Sequence, residues 1–347
     1  MEEKIAVSVF CLAYNHEKYI RHALEGFINQ KTNFKYEVLI HDDASTDGTA
    51  AIIREYEEKY PELIKPIYQT ENQYSQGIRI GDTYLFPRAR GKYICWCEGD
   101  DYWCSEDKLQ KQYDAMEAHP ECSMCVHKVK CVNEDGSPNA RVIPEERYSS
   151  IHQGVLSEDD MVQALWIDGG YPFHTSSYFV IKELLNYRKS HQEVFAYFNG
   201  DMQTLRAAFS IGQIYYLDEA LSHRRLFSKN GWNDRFRNYD IHEKISFWKK
   251  QVYGELRYNE FTNGKYENYI KICVLQNILS WCIYEPYEAK RLIVENRIGK
   301  ETVAEIKSRK RKVYYFLLLH WIGGFEVITL LKSFRANARK WKTKIRR

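Results

Sequence analysis

Short apolar runs separated by helix-period segments constrain this chain more than any other feature. Ile5 to Leu12, Tyr36 to His41, Ile64 to Gln69 and Tyr93 to Cys97 are each rich in strand-forming residues and too short for buried helices. Between them, Tyr19 to Gln30 sets Ile20, Ala23, Leu24, Phe27 and Ile28 on one helical face, and Thr49 to Tyr60 reads as a helix stopped by Pro61. Strand–helix alternation with short loops implies an α/β domain with a mostly parallel sheet flanked by helices.

In such sheets ligands bind outside the carboxyl ends of the strands. Three of the runs end there in polar or acidic residues: Tyr14-Asn15, Asp42-Asp43 and Glu98-Gly-Asp-Asp101. The last places three carboxylates within four residues, and these stay ionised together only with a cation or a donor-rich ligand between them. Oxygen ligands suit Mg²⁺ or Mn²⁺, typically held by one or two carboxylates plus substrate phosphates. An acidic turn closing a strand is the plain alternative, since Gly and Asp are ordinary turn residues. A surface acidic only for solubility would scatter its acids rather than set them at corresponding strand ends.

Further along, Glu106 to His119 is an amphipathic helix and Cys122 to Val132 a strand turned by Asn133 to Gly136. Ser137 to Tyr148 reads as a polar connection, and Val155 to Ile167 as a helix N-capped by Ser157. Tyr171 to Ile181 is a loop entering a strand, Gly200-Asp201 opens a helix running to Phe209, and Gln213 to Leu217 is a strand. A polar stretch with His223-Arg224-Arg225 completes the core, and residues 240–310 read as charged helices with an apolar stripe. The expected division is a catalytic domain over residues 1–232, a helical extension over 233–312 and a basic, aromatic tail over 313–347.

Hydrophobic residues at 44%, charged residues at 28% and a net charge of +3 are those of a globular protein. The 15% of aromatics suits sugar binding as well as core filling. Of nine cysteines, Cys11, Cys95, Cys97, Cys122, Cys125 and Cys131 fall on apparent strands and read as buried, reduced thiols, and Cys122-x-x-Cys125 lacks the second pair a zinc site needs. The first residues show no basic segment followed by an apolar one, so a cytoplasmic protein is expected. Cys11 to Glu17 contains no glycine, which disfavours a nicotinamide-binding Gly-x-Gly-x-x-Gly turn.

Four motifs in order give the chain a family likeness: Val7-Ser-Val with Tyr14-Asn15, Glu37-Val-Leu-Ile-His-Asp-Asp-Ala-Ser-Thr-Asp-Gly-Thr49, Gly91-Lys-Tyr-Ile with Glu-Gly-Asp-Asp101, and Gly200-Asp201. Over roughly Ile5 to Arg225 it resembles an inverting GT-A glycosyltransferase of family 2, of the bacterial surface-glycan type. The resemblance implies a nucleotide-sugar donor, most simply a UDP-sugar, a glycan or lipid-linked acceptor, and Mn²⁺ or Mg²⁺; no nucleic-acid partner is expected. It implies that Tyr14 stacks near the base, that Asp43, or else Asp42, accepts from the base's N–H, and that Asp100 contacts the ribose or the metal shell. Asp101 would hold the metal against the diphosphate and Asp201 would be the general base, although a helix N-cap is the plain reading of Asp201. Arg79 could reach the nucleotide, His223 the phosphate or metal shell, and Arg224 the diphosphate; His174 lies in a loop facing the same presumed cleft. Tyr102 and Trp103 are candidates for stacking on sugar, while Trp96 reads as core. Glu98 stands where the family usually has an Asp, and Gln-x-x-Arg-Trp of the processive synthases is absent, so one sugar per encounter is expected. A non-catalytic sugar-nucleotide-binding or scaffolding protein is the rival reading, and a base at Asp201 separates the two.

The tail carries its own expectation. Val313 to Leu331 approaches the ~20 apolar residues that span a bilayer. His320 and Glu326 inside it, the pair Gly323-Gly324, and basic clusters on both flanks argue instead for helices lying in an anionic membrane surface. Tyr314, Tyr315 and Trp321 would then sit at headgroup depth, and the protein would be peripheral on the inner face of the membrane.

Overall fold

The computed structural model describes residues 4–226, 236–282, 284–304 and 315. They fall into two compact units, divided at Phe195/Ala196, Phe198/Asn199 and Asn238/Tyr239.

The first unit is α/β. Its strands are β1 (Ile5–Ala13), β2 (Lys35–Asp42), β3 (Ile64–Tyr68), β4 (Tyr93–Trp96), β5 (Tyr102–Trp103), β6 (Cys122–Val132), β7 (Pro138–Ile143), β8 (Gly154–Leu156), β9 (Phe179–Ile181) and β10 (Gln213–Arg225). They form one sheet in the order β3-β2-β1-β4-β9-β6-β10-β5, with β7 paired to β6 and β8 to β10. The strands β3, β2, β1 and β4 are parallel, as the alternation predicts. Beyond β4 the sheet is mixed: β9 runs antiparallel to both β4 and β6, while β6 and β10 are parallel.

Period-two alternation sorts the side chains of the parallel half. Val7, Val9, Cys11, Val38, Ile40, Cys95 and Cys97 share one core with three helices. These are α1 (Ile20–Ile28), α2 (Thr49–Lys59) and α3 (Lys108–Ala118). Helix α1 contributes Ile20, Ala23, Leu24 and Phe27, four of the five residues its spacing placed on the buried face. Trp103 is buried among them, its ring 4.8 Å from Phe27 and 4.1 Å from Lys108 Nζ, so it fills the core rather than stacking on sugar.

Several local expectations are corrected. Residues 138–143 are not a loose connection but β7, the return strand of a hairpin with β6 across the Asn133–Gly136 turn. The helix expected over 155–167 begins later, after β8, at α4 (Glu158–Val162), continuing into a wider turn at Gln163–Ile167. Ser157 does cap it, in a reciprocal box with Asp160. The remaining helices of this unit are α5 (Lys182–Ser190), α6 (Gln192–Phe195) and α7 (Gly200–Ile211). Strand β10 runs eight residues further than expected, so His223, Arg224 and Arg225 are strand residues.

The second unit is helical where described: Ile241–Phe261, Glu267–Trp281, Pro286–Glu295 and Lys300–Ala304. Tyr315, expected at headgroup depth, is buried and donates its phenol to Ile298 O at 3.1 Å. The rest of the expected membrane-surface segment lies outside the described residues. Among the described residues no helix is long and apolar enough to cross a membrane. All nine cysteines are free thiols, and Cys104 is exposed.

Candidate active site

Two loops at the carboxyl ends of β1 and β2 are stitched together by short hydrogen bonds. Asn15 adopts a left-handed conformation (φ 56°), its amide donates to Ser45 Oγ at 2.9 Å, and its Oδ1 accepts from the Thr46 amide at 2.8 Å. The His16 amide donates to Thr49 Oγ1 at 2.7 Å and the Glu17 amide to Asp47 Oδ2 at 3.1 Å. Tyr14, 37% exposed, therefore stands on a fixed platform. Both oxygens of Asp43 accept loop amides, from Gln73 at 2.8 Å and Tyr74 at 3.1 Å. Asp42 accepts the Ser45 amide through Oδ2 at 3.3 Å, and its buried Oδ1 has no hydrogen-bond partner. Of the two acids, Asp43 tethers the 72–76 loop and Asp42 has the unspent oxygen.

The acid motif continues β4 along β1, the amides of Cys97 and Gly99 donating to Phe10 O and Leu12 O at 3.0 and 2.9 Å. A Cβ on Gly99 would stand 2.7 Å from Ile20 Cδ1 and 2.8 Å from His16 Nδ1, so a side chain between the acids would have to displace those two groups. Asp101 is 4% exposed, and its Oδ1 accepts from the Arg225 amide at 2.7 Å. Burial, with the charges of Asp100 and Glu98, pushes its carboxyl well above the usual range. Glu98 is pushed up to about 7 by burial, then by Asp100 and Asp201. His174 Nδ1 lies 3.7 Å from Asp101 Oδ2, but this is not an ion pair. Burial holds the imidazole neutral, and its Nδ1 already accepts from the Ser176 amide.

Asp201 lies in the first turn of α7, whose N-cap, Asn199, makes no side-chain capping bond. Its Oδ1 accepts from the Met202 amide at 2.8 Å and its Oδ2 from the phenol of Tyr171. Burial raises its carboxyl, against the lowering pull of that amide and of Arg224. The Arg224 charge is felt at Glu98, Asp101, His174 and Asp201 alike. Glu98, Asp101 and Asp201 thus share the field of Arg224, and Asp100 acts on Glu98 and Asp101.

Other candidates fall elsewhere. Along β10, Ser222 bonds Ser176 and Arg224 acts on the acids, whereas His223 and Arg225 point to the opposite face. There His223 meets Tyr102, ring centroids 5.0 Å apart, and its ring is lowered by burial, Lys130 and Arg225. His223 is not brought to the acid cluster. Arg79 Nη1 donates to Gln203 Oε1 at 3.1 Å, joining the loop before residue 81 to α7 two residues past Asp201. Tyr171 is the polar neighbour sequence reasoning passed over; it lay inside a segment read only as a loop, after a Gly-Gly pair.

Among the described residues no three His, Cys, Asp or Glu side chains form a metal-binding group. A Mg²⁺ or Mn²⁺ shared with a diphosphate needs only one or two protein carboxylates. Clustered acids driven toward protonation are what a site short of positive charge looks like. Asp101 has one oxygen committed to Arg225 and could offer the other, beside the partly exposed Asp100. The residues fit such an ion.

The chain is similar to known proteins in sequence and in fold. The family model described as glycosyl transferase family 2 matches residues 8–165. The uncharacterized protein Rv1520 of Mycobacterium tuberculosis is 44% identical over 138 residues, 40% of this chain and 39% of that protein. The putative teichuronic acid biosynthesis glycosyltransferase TuaG of Bacillus subtilis is 33% identical over 135 residues, 39% of this chain and 51% of its own length. The match thus spans between about two fifths and half of these relatives. Among solved structures, residues 1–349 of S. aureus TarS in complex with UDP-GlcNAc superpose with a TM-score of 0.61 at 17% identity, covering 90% of this chain and 87% of that one. That likeness shows the fold, the GT-A arrangement the motifs implied. The similarity to glycosyl transferase family 2 thus lies in residues 8–165, which carry the strand-end loops and the acid motif.

Proposed function

We propose that the protein is an inverting glycosyltransferase that moves one sugar from a nucleotide-diphosphate donor, a UDP-sugar, to a hydroxyl of a glycan or lipid-linked acceptor. What supports this reading is that Arg224 acts on Asp201 and on the acid motif alike, with Asp201 in turn raising Glu98. Single-step inversion needs a carboxylate on the acceptor side and positive charge on the diphosphate side.

In this reading Tyr14 stacks on the base, and Asp42, with Asp43 behind it, accepts from the base edge. Arg79 and Arg224 attract the diphosphate, Arg224 from beside the acids. Asp100 and Asp101 would hold Mn²⁺ or Mg²⁺, which when bound supplies Lewis-acid stabilisation of the departing diphosphate. Asp201 Oδ2 takes the proton of the acceptor hydroxyl as its oxygen bonds to the anomeric carbon and the carbon–diphosphate bond breaks, the electron pair leaving with the nucleotide. Attachment of residues 313–347 to an anionic membrane surface would bring this site to a lipid-linked acceptor.

The test is thermal stabilisation of the full chain by UDP-glucose, UDP-GlcNAc, dTDP-glucose and GDP-mannose, each with Mn²⁺, Mg²⁺ or EDTA. The reading expects metal-dependent stabilisation by at least one donor and slow release of its nucleotide. Metal-dependent binding with no donor turnover on any acceptor extract would favour a sugar-nucleotide-binding scaffold instead.

A further inference from the structure

We propose that Tyr171 is a positioning residue for Asp201: its phenol fixes the plane of the carboxylate so that one lone pair of Oδ2 faces the acceptor hydroxyl. This rests on the reading of Asp201 as the base.

The two oxygens of Asp201 are not equivalent. Oδ1 accepts from the Met202 amide at 2.8 Å, a donor fixed by the first turn of α7. Oδ2 accepts only the Tyr171 phenol among its described hydrogen bonds. An ionised carboxylate offers about four acceptor positions, so Oδ2 keeps one for an incoming hydroxyl. Without the phenol the carboxylate is held at one end and free to swing.

The segment that delivers the phenol is itself fixed. Gly169 and Gly170 have φ of 127° and 83°, conformations that side-chain-bearing residues rarely adopt. The Gly170 amide donates to Ala164 O at 3.1 Å and the Tyr171 amide to the phenol of buried Tyr148 at 3.2 Å. Two residues on, Phe173 is wholly buried and stacks on Tyr216 at 6.0 Å. The Tyr171 ring thus leaves a backbone anchored on both sides.

Three elements bring ionisable groups to Asp201: Tyr171 from this segment, Glu98 from the end of β4 and Arg224 from β10. A phenol donating to the charged form favours that form, so its removal makes Asp201 harder to ionise. Tyr171 keeps its own proton throughout; the acceptor's proton goes to Asp201.

The experiment needs no donor for its first arm. Full-length protein labelled with carboxyl-¹³C aspartate is titrated by NMR, the Asp201 signal being identified by its loss in Asp201→Asn. In Tyr171→Phe the midpoint should rise by about 0.5 pH unit or more. Tyr148→Phe, which removes the anchor of the Tyr171 amide, should shift it the same way by less. In the second arm UDP release from UDP-glucose with Mn²⁺ is followed, water serving as acceptor. Tyr171→Phe should lower kcat about tenfold, leave KM within about twofold, and move the acid limb of the profile to higher pH. An unchanged midpoint and an unchanged acid limb in folded Tyr171→Phe would overturn the proposal. If Asp201→Asn is inactive while Tyr171→Phe matches the wild type, positioning fails and the base reading stands; if Asp201→Asn is fully active, the base reading itself fails.

Discussion

The amide of Arg225 donates to Asp101 Oδ1 at 2.7 Å, so the end of the longest strand clamps the acid motif at the end of β4. The same residue's guanidinium reaches Asp100 O through Nε at 3.1 Å and Glu134 O through Nη1 at 2.8 Å. It also lies over the ring of Tyr19, 4.8 Å from its centroid. Asp101 is therefore bound into the sheet as well as set beside the site.

That dual position separates two substitutions. Asp101→Asn keeps an oxygen for the Arg225 amide, and should retain stability to within about 1 kcal/mol while losing Mn²⁺-dependent donor binding. Asp101→Ala leaves the amide without its acceptor and should cost a further 1–3 kcal/mol or so. Urea unfolding and donor-induced thermal shifts separate the outcomes, and Mn²⁺-dependent binding by Asp101→Asn would remove Asp101 from the metal's ligands.

Gly91 should be intolerant of any side chain. Its Cβ would stand 2.5 Å from Ser8 N and 2.7 Å from Val7 C, both backbone atoms of the central strand. Its amide donates to Ser8 Oγ at 2.9 Å, and that hydroxyl donates to buried Glu37 at 2.7 Å. Glu37 in turn accepts the Arg90 amide at 2.8 Å and its guanidinium at 2.6 Å. Gly91→Ala should cost about 1–3 kcal/mol or more by overpacking, read from the urea midpoint at constant slope. A loss below about 0.5 kcal/mol would show that the strands separate freely there.

Acid should destabilise the first unit through His127. The ring is wholly buried and its Nδ1 bonds Lys128 O at 2.8 Å. Burial, then the charge of Lys108, holds it well below the ordinary imidazole range. Below about pH 6.5 the unfolded chain binds a proton that the folded chain refuses, so stability present above that pH is lost as pH falls. His127→Asn, which can keep the bond to Lys128 O, should flatten the dependence of the melting temperature between about pH 5 and 7. An unaltered slope would assign the acid sensitivity to other groups.

What the sequence disclosed follows from which forces act locally. Hydrophobic period fixed β1, β2, β4 and α1 to within a few residues, because apolar burial of one face decides those elements. The Ser157 cap was legible for the same reason: its partner Asp160 is three residues away. Strand β7 was hidden because half of its residues are exposed and its pairing with β6 depends on partners rather than on composition. The side facing the acids at His223–Arg225 was hidden because β10 was ended too early, and strand alternation decides it. Tyr171 and Asp201 lie 30 residues apart, and no local pattern announces a contact at that range. Glu37 and Gly91, quoted as family motif residues, hold the sheet together in a bond network of their own.

The most direct test of the account is Asp201→Asn in the full chain, with donor affinity and sugar transfer measured on the same preparation. The account predicts donor binding within about threefold of wild type and a rate of transfer lower by about 10²–10⁴-fold. A folded Asp201→Asn protein that transfers sugar at the wild-type rate would contradict it.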